Sequence, residues 1–171
     1  MIFLTVGTLY PFDRLVEAVD QAVEKGYVQD KIFAQIGKTV NKPRNFQYVV
    51  SLEMDAYERC FREASAIISH AGMGTITTAL RHKKPLLVMP REKKYGEIIN
   101  DHQIHTAEAF AKKGHVQVAR TPADFKAKII ELKSFVPTER RCNTEAIVEF
   151  IKQYLWSVEK CKCYKTKIIG F

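Results

Sequence analysis

Ile67-Ile68-Ser69-His70-Ala71-Gly72-Met73-Gly74-Thr75 reads as the end of a buried strand, Ser65 to Ser69, that turns through glycines into a helix. A helix start of this kind offers unpaired backbone N–H groups and the positive end of the helix dipole to an anion. Gly72 and Gly74 let the main chain come close to a bound group, and Thr75 adds a hydroxyl donor. Further along, Asn100-Asp101-His102-Gln103 places polar groups at the start of another helix, after another strand. The two segments together imply a pocket for a phosphorylated, hydroxyl-rich ligand.

Strands and helices alternate on both sides of this stretch. Ile2 to Val6 is an apolar run that ends at Gly7-Thr8. Leu15, Val16, Val19, Ala22 and Val23 recur at helical spacing, and Gly26 stops that helix. Lys31 to Ile36 reads as a second strand ending at Gly37, Phe46 to Val50 as a third, and Glu53 to Ala64 as a helix. A helix from Met73 to His82 follows the His70 strand. Leu86 to Met89 is the next strand, Arg91 to Ile99 a charged loop, Asp101 to Lys113 a helix, and His115 to Ala119 a last strand. Thr121-Pro122-Ala123-Asp124 combines a helix cap, a first-turn proline and an acid three residues after the cap. The final helix is expected from Asn143 to Trp156.

This alternation predicts an α/β fold, a Rossmann-like doubly wound parallel sheet covered on both faces. Ligands of such sheets bind outside the carboxyl ends of the strands. Gly7-Thr8, Gly37-Lys38, His70-Ala71-Gly72 and the loop from Arg91 to Asp101 all fall on that edge. The expected organisation is one domain over residues 1–156, followed by a basic tail over 157–171.

A chain of 171 residues has room for one full core. No apolar run approaches the ~20 residues that span a bilayer, and the opening MIFLTVGT reads as a first strand rather than a signal peptide. Cys60, Cys142, Cys161 and Cys163 lack paired metal-ligand spacing, which points to a reduced, cytoplasmic protein. The net charge of +8 suits nucleic acid, an anionic membrane or an acidic protein. No aromatic-interleaved or helix-turn-helix pattern supports nucleic acid, and Lys83-Lys84 and Lys93-Lys94 read as solvated charge. His102 and His105 share a helix face with Asp101 beside them, but no third convergent ligand is evident, so no metal or other cofactor is expected. The dinucleotide fingerprint is incomplete, because the full G-x-G-x-x-G and its following acid are missing.

His-Ala-Gly-x-Gly-Thr after a strand, then Lys84-Pro85-Leu86-Leu87-Val88-Met89-Pro90, then Asp101-His102-Gln103 opening a helix, resemble the C-terminal domain of family 28 glycosyltransferases. Thr5-Val6-Gly7-Thr8 and Ala34-Gln35-Ile36-Gly37 resemble the short, single-domain members in particular. These are the catalytic subunit of the dolichol-linked N-acetylglucosaminyltransferase and bacterial exopolysaccharide and capsule subunits of PssE or CpsF type. Pro90-Arg91 with Tyr95-Gly96-Glu97 favours the bacterial branch.

The resemblance implies the donor half of a two-domain GT-B enzyme, binding a UDP-sugar without a bound metal. On it, His70, Gly72, Gly74 and Thr75 serve the diphosphate, Gly7 and Thr8 border it, and Gln103 with Asp101 or His102 reads the sugar hydroxyls. Thr78 departs from the pattern. Many relatives hold a glutamate there that grips both ribose hydroxyls, which a threonine cannot do. The implied activity is inverting hexose transfer to a lipid-linked saccharide acceptor in surface polysaccharide synthesis. No residue stands out as the general base, so a membrane-anchored, acceptor-binding subunit is expected to supply it and to hold this chain at the inner face of the membrane. The alternative is a non-catalytic stimulatory subunit.

Overall fold

The computed structural model describes residues 1–139 and 144–168. The chain divides into two units, Met1–Glu139 and Arg140–Phe171. In the first unit the elements run β1 (Ile2–Thr5), α1 (Asp13–Glu24), β2 (Ile32–Gln35), β3 (Gln47–Val49), α2 (Met54–Glu63), β4 (Ala66–His70), α3 (Met73–Arg81), β5 (Leu86–Met89), α4 (His102–Lys112), β6 (Gln117–Val118) and α5 (Pro122–Glu131). All the strand pairs are parallel, and the order across the sheet is β3-β2-β1-β4-β5-β6. This is the expected doubly wound sheet. Its strand order reverses between β1 and β4, and that reversal leaves a crevice at their carboxyl ends.

Alternation along β1 sorts the core. Ile2 and Leu4 face one side with Leu15, Val16 and Val19 of α1 and Phe125 and Ile129 of α5. Phe3 faces the other side with Phe61 of α2, Ile76 and Ala79 of α3 and Ala107 of α4. Phe3 stands edge-on to Tyr57 at 5.7 Å and to Phe61 at 5.5 Å. Full burial of each such aromatic side chain contributes roughly 1.5–3 kcal/mol. That packing fixes α2 beneath the crevice.

The helix stops and starts follow local chemistry. Gly26 takes φ +71° just past the end of α1, the left-handed conformation that closes a helix without a Cβ penalty. The Thr121 hydroxyl accepts from the Asp124 N–H while the Asp124 carboxylate accepts from the Thr121 N–H, so the capping box is complete. β6 is shorter than the expected His115–Ala119. His115 is drawn out of the ladder at its start, with its Nδ1 against the Thr138 carbonyl at 2.8 Å. The charged loop after β5 is not a uniformly solvated segment: Arg91, Glu92 and Glu97 are buried.

The second unit holds α6, Thr144–Ile168. Asn143, where the sequence reading opens this helix, lies outside the described residues, as does Cys142. The helix continues beyond Trp156, where the sequence reading ended it. No glycine or proline interrupts the chain from Trp156 to Ile168, so nothing in the backbone chemistry stops it. Ile147, Phe150, Ile151, Tyr154 and Leu155 of α6 are exposed. Among the described residues no helix is long and apolar enough to cross a membrane.

Candidate functional site

β1 and β4 lie side by side with Thr5 opposite Ser69, so the residues that follow them, Gly7 and His70, meet at the crevice. The His70 imidazole is wedged between two main-chain segments. A Cβ on Gly7 would stand 3.2 Å from its Cε1, and a Cβ on Gly72 would fall within 3.0 Å of its Nε2. Gly7 has φ +74° and Gly37 φ +52°, both left-handed. A Cβ on Gly37 would strike the Gly7 carbonyl. The loops after β1, β2 and β4 therefore close on one another, and glycine at these positions makes the approach sterically possible.

Hydrogen bonds fix the orientation of His70. The Ser69 hydroxyl, fully buried, donates to the Thr5 carbonyl, and the same oxygen lies 3.1 Å from His70 Nδ1. Burial and then the nearby Arg91 charge push the His70 pKa down to about 4, against a smaller upward pull from the Thr5 carbonyl. The ring is neutral at pH 7.

Gly72 is the N-cap of α3, in extended conformation, and its carbonyl accepts the first helical bond from Ile76 N at 3.0 Å. No side chain caps this end, so the first-turn N–H groups face the crevice mouth without a side-chain acceptor. Gly74 is exposed with open space where a Cβ would stand. Thr75 is buried, and its side chain interacts with the Tyr57 phenol, as does that of Thr5. Burial holds the Tyr57 pKa above its ordinary value. Thr75 thus braces the helix start from beneath.

Arg91 ties the remaining pieces together. Its Nη2 donates to the Val6 carbonyl at 2.7 Å and to the Tyr10 carbonyl at 2.8 Å, clasping the loop that carries Gly7 and Thr8. Its backbone N–H donates to Gln103 Oε1 at 3.1 Å, which joins the start of α4 to the same structure. The guanidinium lies 4.8 Å from the Phe12 ring centroid, and its buried Nε has no partner. Burial lowers the Arg91 pKa to about 10, opposed by Glu97 and Tyr10, so it keeps its charge. Beside it, Arg14 makes a two-pronged pair with Glu97 at 2.8 and 2.7 Å, and Glu97 also accepts from Glu92 N at 3.0 Å. A cavity of about 430 Å³ opens on this edge among Arg14, Pro90, Tyr95, Ile104 and Arg120; His70 is not in its wall.

The structure thus brings Gly7, His70 and Gly72 into contact and links Gln103 to them through Arg91. Thr8 is exposed on the rim beside Gly37. Asp101 and His102 are exposed and occupied locally: Asp101 Oδ1 accepts from Lys93 N at 2.7 Å, and His102 bonds Asn100. Sequence reading missed Ser69, Tyr57, Arg91 and the Arg14–Glu97 pair. For Arg91 the sequence offers only its place directly after Pro90 at a strand's carboxyl end; its partners on the first loop come from the fold.

The chain matches the family described as the glycosyltransferase family 28 C-terminal domain over residues 1–154. It is 33% identical over 127 residues to the human UDP-N-acetylglucosamine transferase subunit ALG13, an alignment covering 67% of this chain and 10% of that protein. It therefore spans about a tenth of that curated relative. Among solved structures, the glycosyltransferase of kitacinnamycin superposes with TM-score 0.59 at 21% identity, covering 78% of this chain and 34% of the other. The NMR structure of ALG13 superposes with TM-score 0.55 at 19% identity, covering 88% and 93%. These likenesses carry the fold: a Rossmann-like sheet of the kind found in GT-B glycosyltransferases.

Proposed function

Because this chain belongs to the glycosyltransferase family 28 C-terminal domain family, we propose that it is the donor-binding subunit of a two-part glycosyltransferase. The donor is a UDP-sugar, bound over the crevice between β1 and β4. The observation that carries this reading is the convergence of Gly7, Gly37, His70 and Gly72 on the uncapped start of α3. Such a meeting of backbone segments at a helix start, with Arg91 buried behind it, suits a diphosphate that gains charge as it leaves. The likeness to the human UDP-N-acetylglucosamine transferase subunit supports both the UDP donor and the subunit role.

In the reaction an acceptor hydroxyl attacks C1 of the sugar, the new O–C1 bond forms, and the C1–phosphate oxygen bond breaks with inversion. The proton of the hydroxyl goes to a base on the partner, and UDP departs with its charge offset by the α3 dipole and the site's donors. The acceptor is a lipid-linked saccharide of surface polysaccharide synthesis. The membrane-anchored partner binds it and holds this chain at the cytoplasmic face. The exposed apolar residues of α6, Phe150, Ile151, Tyr154 and Leu155, support a protein contact there. Near an anionic leaflet each basic residue adds about 1 kcal/mol, which assists docking without anchoring.

The test is transfer from UDP-hexose to lipid-linked acceptor in membranes with and without the partner. The reading expects turnover only with the partner, lost when His70→Ala is used. Turnover by this chain alone contradicts the split enzyme. Thr78, half-buried on α3, favours the second reading, a stimulatory subunit that turns over no sugar nucleotide. Full activity of the complex carrying His70→Ala would select it.

A further inference from the structure

We propose that Ser69 is a positioning residue that sets the His70 tautomer, so that a sugar-nucleotide diphosphate is met by His70 only after the ring takes up a proton. The inference rests on the donor-site reading above and deepens it. Its ground is the single proton of the Ser69 hydroxyl. That proton goes to the Thr5 carbonyl, which can only accept. Ser69 Oγ can then offer His70 Nδ1 nothing but a lone pair, so at their 3.1 Å separation Nδ1 carries the ring proton. A neutral imidazole has one N–H, and Nε2 is left with its lone pair. Nε2 is also the ring atom that faces Gly72 at the start of α3, where a phosphate would sit.

A phosphate oxygen and an imidazole lone pair repel. An added proton on Nε2 turns the contact into a charge-assisted hydrogen bond while the Nδ1–Ser69 bond is kept. In the empty protein the charged ring is disfavoured by burial and by Arg91 on the loop after β5. The other titratable group packed near this relay, Tyr57 on α2, is held neutral by burial, and Glu97 acts on the site through its attraction to Arg91. An incoming diphosphate reverses the sign of that field. Proton uptake and donor binding are therefore linked, and affinity rises as pH falls until the empty protein itself becomes protonated.

The experiment is calorimetric titration of the full chain with UDP-GlcNAc, whose diphosphate diester has no proton to exchange near neutrality, in buffers of differing ionisation enthalpy. We expect uptake that climbs toward one proton per ligand as pH is lowered from about 8 to about 5.5, with affinity tightening up to about tenfold per pH unit. Ser69→Ala removes the hydroxyl acceptor that holds the Nδ1 proton and leaves only the weaker pull of the Thr5 carbonyl, so the neutral ring can place its proton on Nε2; binding should persist and the uptake diminish. Binding without uptake in the wild-type chain, or undiminished uptake in Ser69→Ala, overturns the proposal and leaves the donor site standing. Imidazole 15N shifts of the ligand-free wild-type protein give an independent reading: Nδ1 should be protonated and Nε2 bare, and the reverse overturns it. Absence of any UDP-GlcNAc binding would overturn the donor-site reading, and this inference with it.

Discussion

His70 and Gly72 are interlocked: the ring nitrogen that faces the crevice occupies the space a side chain at Gly72 would need. The imidazole cannot keep its place unless residue 72 lacks a Cβ. Gly72→Ala should therefore expel the ring from its position. We expect a stability loss of about 1–3 kcal/mol from overpacking, and a loss of UDP binding of about tenfold or more as the His70 hydrogen bond goes. Chemical denaturation and UDP titration of one variant separate the two effects. Unchanged binding would mean that the imidazole does not touch the ligand.

The depressed His70 pKa carries a stability signature. An unfolded histidine takes up its proton near pH 6.5, whereas folded His70 resists until about pH 4. Stability is then fully present above pH 6.5 and is lost as pH falls toward 4, by about 3 kcal/mol for this one group. His70→Asn should remove that slope, so the gap between variant and wild type should narrow or reverse on acidification. Parallel pH profiles in urea unfolding would show that the ring is not buried in its neutral form.

Gln103 has two separable duties because its carbonyl oxygen is committed to the Arg91 N–H. Only its amide nitrogen remains to donate to a sugar hydroxyl. Gln103→Glu keeps the acceptor and should hold stability near wild type while weakening UDP-hexose relative to UDP. Gln103→Ala leaves a buried N–H unpaired, at a cost of about 1–3 kcal/mol, and should weaken both ligands. Equal behaviour of the two variants would remove Gln103 from the sugar.

The Arg14–Glu97 pair is nearly enclosed and also satisfies Glu92 N. Without Glu97, Arg14 keeps only a longer 3.7 Å pair with Glu92, and Glu92 N loses its acceptor; Glu97→Ala should therefore cost about 1–3 kcal/mol, and Arg14→Met with Glu97→Leu should recover part of it. Equilibrium unfolding of the single and double variants measures this. A loss under about 1 kcal/mol for the single variant would place the pair among exposed surface bridges.

Much of this architecture is legible in the chain because its signals are local. Apolar runs such as Ile2 to Val6 and Leu86 to Met89, each ending at glycine or proline, mark strands and the edge on which their loops meet. The Thr121–Asp124 capping box is written in four residues and forms as written. What could not be read depends on long-range geometry. Arg91 looks like one more charge in a basic loop, and only the folded chain brings its side chain to Val6 and Tyr10. Asp101 and Gln103 look equivalent in sequence, yet one is turned to Lys93 and the other buried against Arg91. The Ser69 relay likewise needs the β1–β4 register, which places Thr5 opposite Ser69.

A UDP-sugar held in the crevice between β1 and β4 underlies every role assigned above. Backbone amide shifts of the full chain, followed during titration with UDP-GlcNAc, test it most directly. The largest shifts should fall at Gly7, Gly37, His70 and Gly72 and across the first turn of α3, with saturation in the wild-type chain and, at about pH 5.5 where binding brings the His70 proton, at least tenfold weaker binding in His70→Ala, the loss of about 1.5–3 kcal/mol expected of one hydrogen bond to a charged group. Shifts confined to other surfaces, or none at all, would contradict it.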